Sequence, residues 1–165
     1  MPNLDSPLAR ALATCLADAT VMYHRSHAFH WNVVGDDFPE WHSKFEEIYD
    51  DVYGSLDPMA ESIRKLGDFV PFTLDDLSKL SSVDDGEPAD YSSPTLVASL
   101  ITTNGTVLND LADAFREADD ANEQGIANFL AERIDQHQKW NWQLTASTVE
   151  KSDDAEIAEW VRRSL

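Results

Sequence analysis

Apolar residues recur every three or four positions through four stretches of this chain, and proline and glycine mark where those stretches begin and end. That period places the apolar residues on one face of a helix, whereas a half-buried strand would need strict alternation. The first stretch opens at Ser6-Pro7, where serine can cap and proline gives up an N–H that has no helical partner at that position. Leu8, Leu12, Cys15, Leu16, Ala19, Met22 and Tyr23 carry the period to about Val34, and Gly35 ends it. The second starts at Pro39, runs through Ile48, Val52, Leu56, Met59 and Ile63, and stops before Gly67. Pro58 lies inside it, so the spacing predicts one kinked helix, because the apolar period continues past the proline.

Residues 68–93 form the longest irregular stretch, with a short helix expected at about 74–80 from Leu74, Leu77 and Leu80. Ser93-Pro94 opens the third helix, which the acids and Asn122 break near 119–122. The fourth spans about 124–150, and a tail at 153–164 holds Ile157, Trp160 and Val161. A long connection at the midpoint implies that the second and third helices run parallel. The expectation is an all-α four-helix bundle, with a long crossover containing a short helix between helices two and three. It forms one domain over 1–165, with 1–6 and 151–165 as short terminal extensions.

Charge narrows the function. Thirty-one acids against twelve Lys and Arg give a net charge of -19, which opposes any general affinity for phosphate backbones or anionic membranes. It leaves cations and basic partners open, as well as an adaptation to salt. One cysteine, Cys15, excludes an intrachain disulfide or a thiolate zinc cluster. No apolar run reaches the roughly 18–20 residues that span a membrane. The N-terminus shows no basic segment followed by an apolar one, so a cytoplasmic location is expected.

The first two helices hold four of the five histidines: His24, His27, His30 and His42. Glu46, Asp50, Asp57 and Glu61 follow on helix two. Imidazole with carboxylate suits iron, zinc or manganese. With His42 as origin, Glu46 falls at about 40°, Asp57 at about 60° and Glu61 at about 100° around the helix, so all four share a broad face. Glu46 and Asp57 are nevertheless about 16 Å apart along the axis, too far for one metal. The four positions are symmetric about the midpoint between Asp51 and Val52. Two copies of the helix, antiparallel about a two-fold there, set His42 and Glu46 of one opposite Glu61 and Asp57 of the other, giving two composite sites. A charged solvent face is the competing reading. The Glu-x-x-His motifs of intrachain di-iron bundles are absent.

The segment His27-Ala28-Phe29-His30-Trp31-Asn32-Val33, followed by His42-Ser43-Lys44-Phe45-Glu46-Glu47 and Asp57-Pro58-Met59-Ala60-Glu61, resembles the signature of Dps proteins, the miniferritins. Arg133-Ile134, His137 and Trp140 extend the likeness to about residues 8–148. The resemblance implies a ferritin-like homododecamer closed through two-fold and three-fold interfaces. Each two-fold interface would carry a ferroxidase centre, with His30, His42 and Glu46 from one subunit and Asp57 and Glu61 from its neighbour. Fe(II) would be oxidised there, preferentially by hydrogen peroxide, and ferric mineral stored in the cavity. Zinc or manganese could occupy the same ligands.

By the same resemblance Trp31 and Trp41 are candidate electron donors, with packing as the alternative role. Glu123, Asn128 and Glu132 match positions lining an acidic three-fold pore through which iron enters. His27 is expected to support the site or the core, His24 and His137 to bond between helices, and Trp140 and Trp142 to pack. Many relatives bind DNA through basic tails and act as nucleoid proteins. Here the first nine residues hold no Lys or Arg, and Arg162 and Arg163 follow four acids, so no appreciable DNA binding is expected.

Overall fold

The computed structural model describes residues 4–148. It contains α1 (Pro7–Asn32), α2 (Phe38–Lys65), α3 (Leu74–Leu80), α4 (Ser93–Asp120) and α5 (Gln124–Ser147), with α3 lying in the crossover between α2 and α4. Among these residues there are no strands beyond one isolated bridge between Val34 and Ser92, and no helix is long and apolar enough to cross a membrane. The expected tail at 153–164 and the extension at 151–165 lie outside the described residues.

The boundaries follow local chemistry. Ser6 Oγ accepts from Ala9 N–H and Thr73 Oγ1 from Asp76 N–H, each satisfying a donor that the helix cannot. Gly35 and Gly67 have φ of 136° and 93°, which glycine tolerates and other residues resist. Asn122 ends α4 at φ 58°, the left-handed conformation asparagine adopts more readily than most. Pro58 does not divide α2, which is one continuous helix.

The core is an apolar layer between the four long helices. Leu12, Met22, Phe45, Ile48, Met59, Ile63, Leu96, Leu111, Leu130, Trp140 and Leu144 are fully buried in it. Cys15 is buried as well, and burial followed by Asp18 holds its thiol above the usual range. α1 packs along α2 and α4, and α5 along α4.

A polar network crosses this core. Arg133 on α5 pairs in a fork with Asp51 on α2, at 3.2 and 2.7 Å. Trp140 Nε1 donates to the same carboxylate. His137 and Asn104 bond reciprocally, imidazole to amide and amide to backbone carbonyl. These bonds tie the middle of α2 to α4 and α5.

Candidate metal centre

His30 closes α1 and His42 opens α2, and the turn at Gly35 returns the chain so that the two rings stack at 3.6 Å. His30 Nδ1 lies 2.7 Å from the His42 carbonyl, and His42 Nδ1 lies 2.8 Å from the His30 carbonyl. A carbonyl can only accept, so each Nδ1 carries the proton. The neutral form of each ring therefore carries its lone pair on Nε2, for which no partner is seen among the described residues. This backbone lock fixes tautomer and ring plane together, as carbonyl or carboxylate partners do for metal-ligating histidines.

Glu46 stands one turn beyond His42 and is exposed, with the Tyr49 hydroxyl 3.5 Å from its Oε1. Desolvation and then Glu46 and Asp50 push the Tyr49 phenol upward. Phe38 stacks on the outer face of His42 at 5.0 Å. His27 lies between Trp31 at 4.0 Å and Tyr49 at 4.1 Å, and its ring centre is 6.0 Å from that of His30. Burial, then His30 and His24, lower its basicity below that of a free imidazole.

Asp57 and Glu61 are exposed farther along α2. Within one chain, the described residues gather no group of three or more histidine, cysteine or acidic side chains close enough to hold a metal. The structure thus brings together His30 and His42, with Glu46 a turn away, and leaves Asp57 and Glu61 exposed and apart from them.

The remaining expected residues divide. Trp31 touches His27 and is 58% exposed, on the site's open side. Trp41 instead packs on Phe45 at 5.4 Å. His137 bonds between helices as expected, but His24 points into solvent because it falls on the outer face of α1. Trp140 is buried, whereas Trp142, two residues on and therefore across the helix, is 58% exposed rather than packed. Asn128 Nδ2 donates to Glu132 one turn later. Glu123 precedes α5, makes no capping bond, and lines a separate recess with Pro58, Ser62 and Lys65.

Sequence reasoning missed the role of Tyr49. Its spacing of three from Glu46 and four from Tyr53 was the available signal. It also missed Asp18, fully buried beside the crossover, whose charge interrupts an otherwise apolar face.

Comparison with known proteins decides the family. Residues 9–150 match the family model for the ferritin-like domain. The DNA protection during starvation protein of Brevibacillus brevis is 30% identical over 144 residues, covering 87% of this chain and 96% of that one. The chain belongs to the Dps family of ferritin-like proteins. The crystal structure of a Dps protein from Bacillus brevis superposes with a TM-score of 0.79 at 30% identity, covering 86% of this chain and 95% of that one. Dps from Vibrio cholerae O1, described as belonging to a broad superfamily of ferritin-like diiron-carboxylate proteins, gives a TM-score of 0.81 at 27% identity, covering 86% and 89% of the two chains. The Dps fold therefore accounts for the bundle and for the short helix in its crossover. Membership supports iron chemistry in the broad sense.

Proposed function

We propose that this Dps protein is a ferroxidase that takes up Fe(II), oxidises it with hydrogen peroxide and stores the ferric product inside a homododecamer. The observation that carries this reading is the reciprocal lock of His30 and His42, which commits both Nδ1 atoms to carbonyls and leaves each Nε2 to serve as a metal ligand, with Glu46 one turn along α2. Asp57 and Glu61 of a second copy, antiparallel about the axis between Asp51 and Val52, supply the remaining carboxylates.

Two imidazoles and three carboxylates hold Fe(II) without needing a proton at either Nε2. The added anionic charge favours Fe(III) as the product. The balance is two Fe(II) and one peroxide, with two protons, giving two Fe(III) and two waters. Both electrons that cleave the O–O bond come from iron, so no hydroxyl radical is released. Glu46 and its partners accept protons as water ligands ionise on Fe(III). Zinc or manganese, which take the same donors, would compete for the site.

Trp31, whose ring meets His27 beside the histidine pair, and Trp41, which packs on Phe45 next to His42, would donate an electron to an over-oxidised centre. Glu123, Asn128 and Glu132 would line an iron-entry pore, with Asn128 and Glu132 joined as one rung. The relatives' name refers to DNA protection. At a net charge of -19 per chain, protection through removal of iron and peroxide is favoured over contact with DNA.

The test is anaerobic addition of Fe(II) followed by peroxide, with ferric absorbance in the near ultraviolet as readout. His30→Ala combined with Asp57→Ala should slow the reaction by at least about 10-fold, the loss that removing even a hydrogen-bond partner of a metal ligand causes. Unchanged rates in the double variant would reject the site.

A further inference from the structure

Gly54 sits in the middle of α2. A glycine in a helix interior costs about 1 kcal/mol relative to alanine, so its presence calls for a reason. Its backbone provides none, because the glycines of positive φ are Gly35 and Gly67. A Cβ built at Gly54 would meet nothing within 4 Å. Pro58, one turn later, removes the helical donor to the Gly54 carbonyl, but that is a backbone effect and is the same for any side chain. Nothing inside the described chain excludes a side chain from position 54.

Gly54 opens on a recess of about 440 Å³, walled by Leu16, Leu56, Ala60 and Leu77. Asp57 lies on its edge and Tyr53, 61% exposed, stands beside it. The same two-fold that places Glu46 opposite Asp57 and His42 opposite Glu61 places position 54 opposite position 49. Tyr49 is partly exposed, and its ring is supported from within the chain. Its ring is held on His27 at 4.1 Å, and His27 is backed by Trp31 at 4.0 Å. One end of the face therefore carries a rigid aromatic knob, and the other carries an apolar recess with no Cβ at its floor.

We infer that α2 pairs with a second copy of itself through a reciprocal interlock, Tyr49 of each subunit seating over Gly54 of the other beside Asp57. The inference rests on the composite iron centre proposed above and adds the contact that sets its register. The face carries Glu46, Asp50, Asp57 and Glu61, which repel across a two-fold until metal binds. Two buried tyrosine contacts supply an apolar attraction that does not depend on iron. A slip by one helical turn would set each Tyr49 ring against carboxylates instead of the recess.

The experiment uses the whole protein. Wild type is measured first for particle mass by light scattering and for peroxide-driven Fe(II) oxidation. Gly54→Leu should keep or raise helix content, because its side chain enters open space, yet it should weaken association at least about tenfold and slow iron oxidation with it. Adding Tyr49→Ala should make room again and restore association. Gly54→Leu that assembles and oxidises iron as wild type does would overturn the interlock, and so would dissociation that Tyr49→Ala fails to relieve. A wild type that associates, responds to Gly54→Leu and oxidises no iron would instead refute the iron centre and leave the interlock standing.

Discussion

Replacing Asp18 with asparagine should make this acidic protein more stable at pH 8. Asp18 is fully buried on α1. Its Oδ1 accepts from the Ser81 hydroxyl and the Ser82 N–H, both at 2.7 Å, and so holds the end of the crossover against the bundle. Its Oδ2 is buried with no conventional partner, as is Oδ2 of Asp110 on α4, and the two carboxyls lie within hydrogen-bonding reach. No cation pairs with either among the described residues. The other titratable groups facing this cluster are Cys15 on α1 and Asp113 on α4, and neither supplies a positive charge. A proton retained on Asp18 is therefore favoured, with Asp110 within reach to hold it. Burial first, and then Asp110, raise Asp18 to about 7.

A folded-state value above the unfolded one means that the native protein holds a proton the unfolded chain has already lost. Stability contributed by this group is fully present below about pH 4 and is lost as pH rises towards about 7. The slope is about 1.4 kcal/mol per pH unit, and the whole interval amounts to roughly 4 kcal/mol. In Asp18→Asn the amide oxygen would keep the bonds from Ser81 and Ser82, and the amide nitrogen would donate permanently to Asp110. One amide hydrogen would be left without a partner, at a cost of about 1–2 kcal/mol. The expected gain at pH 8 is thus about 2–3 kcal/mol, shrinking to nothing or reversing near pH 4. Denaturant unfolding of both proteins, at equal protein concentration from pH 4 to 8, measures it. Subtraction cancels the common effect of net charge. A wild-type minus Asp18→Asn difference that stays constant across that range would refute the retained proton.

His137 acts in the opposite sense. Burial, and then Arg133, lower it to about 3, so its contribution is present above the unfolded value near 6.5 and is lost as pH falls from there towards about 3. In wild type it masks much of the Asp18 slope, and in Asp18→Asn stability should rise with pH through that window. Proton NMR should show the His137 ring without a titration step between pH 5 and 8. Asp51→Ala should lower stability by about 2–4 kcal/mol, because it strands the guanidinium of Arg133 and removes the acceptor of Trp140. Denaturant unfolding checks this, and Asp51→Ala with Arg133→Met should recover part of the loss. At neutral pH and moderate salt a gel-shift assay with duplex DNA should show no retarded band.

Most of the fold was legible because its signals are local. The period of three and four placed the described helices, and Ser6, Gly35, Gly67 and Asn122 marked their ends within a few residues. At Pro58 the continuing apolar period favoured one helix over two, and α2 runs on through it as one helix. The candidate ligands were legible for the same reason, since helical spacing alone puts His42, Glu46, Asp57 and Glu61 on one face. Residues whose surroundings come from other helices were not legible. Nothing local distinguishes buried Trp140 from exposed Trp142, or His137 in the core from His24 in solvent.

The amino-acid order by itself determined the bundle, the placing of His42, Glu46, Asp57 and Glu61 on one face of α2, and the net charge of -19, because periodicity and charge act within one helix or sum over the whole chain. Only the tertiary structure decided that His30 and His42 lock each other's tautomers, that Tyr49 rests on His27, that Gly54 opens on a recess, and that Asp18 is buried against Asp110. Each of these depends on distances between atoms far apart in the chain, and those distances exist only once the helices have packed.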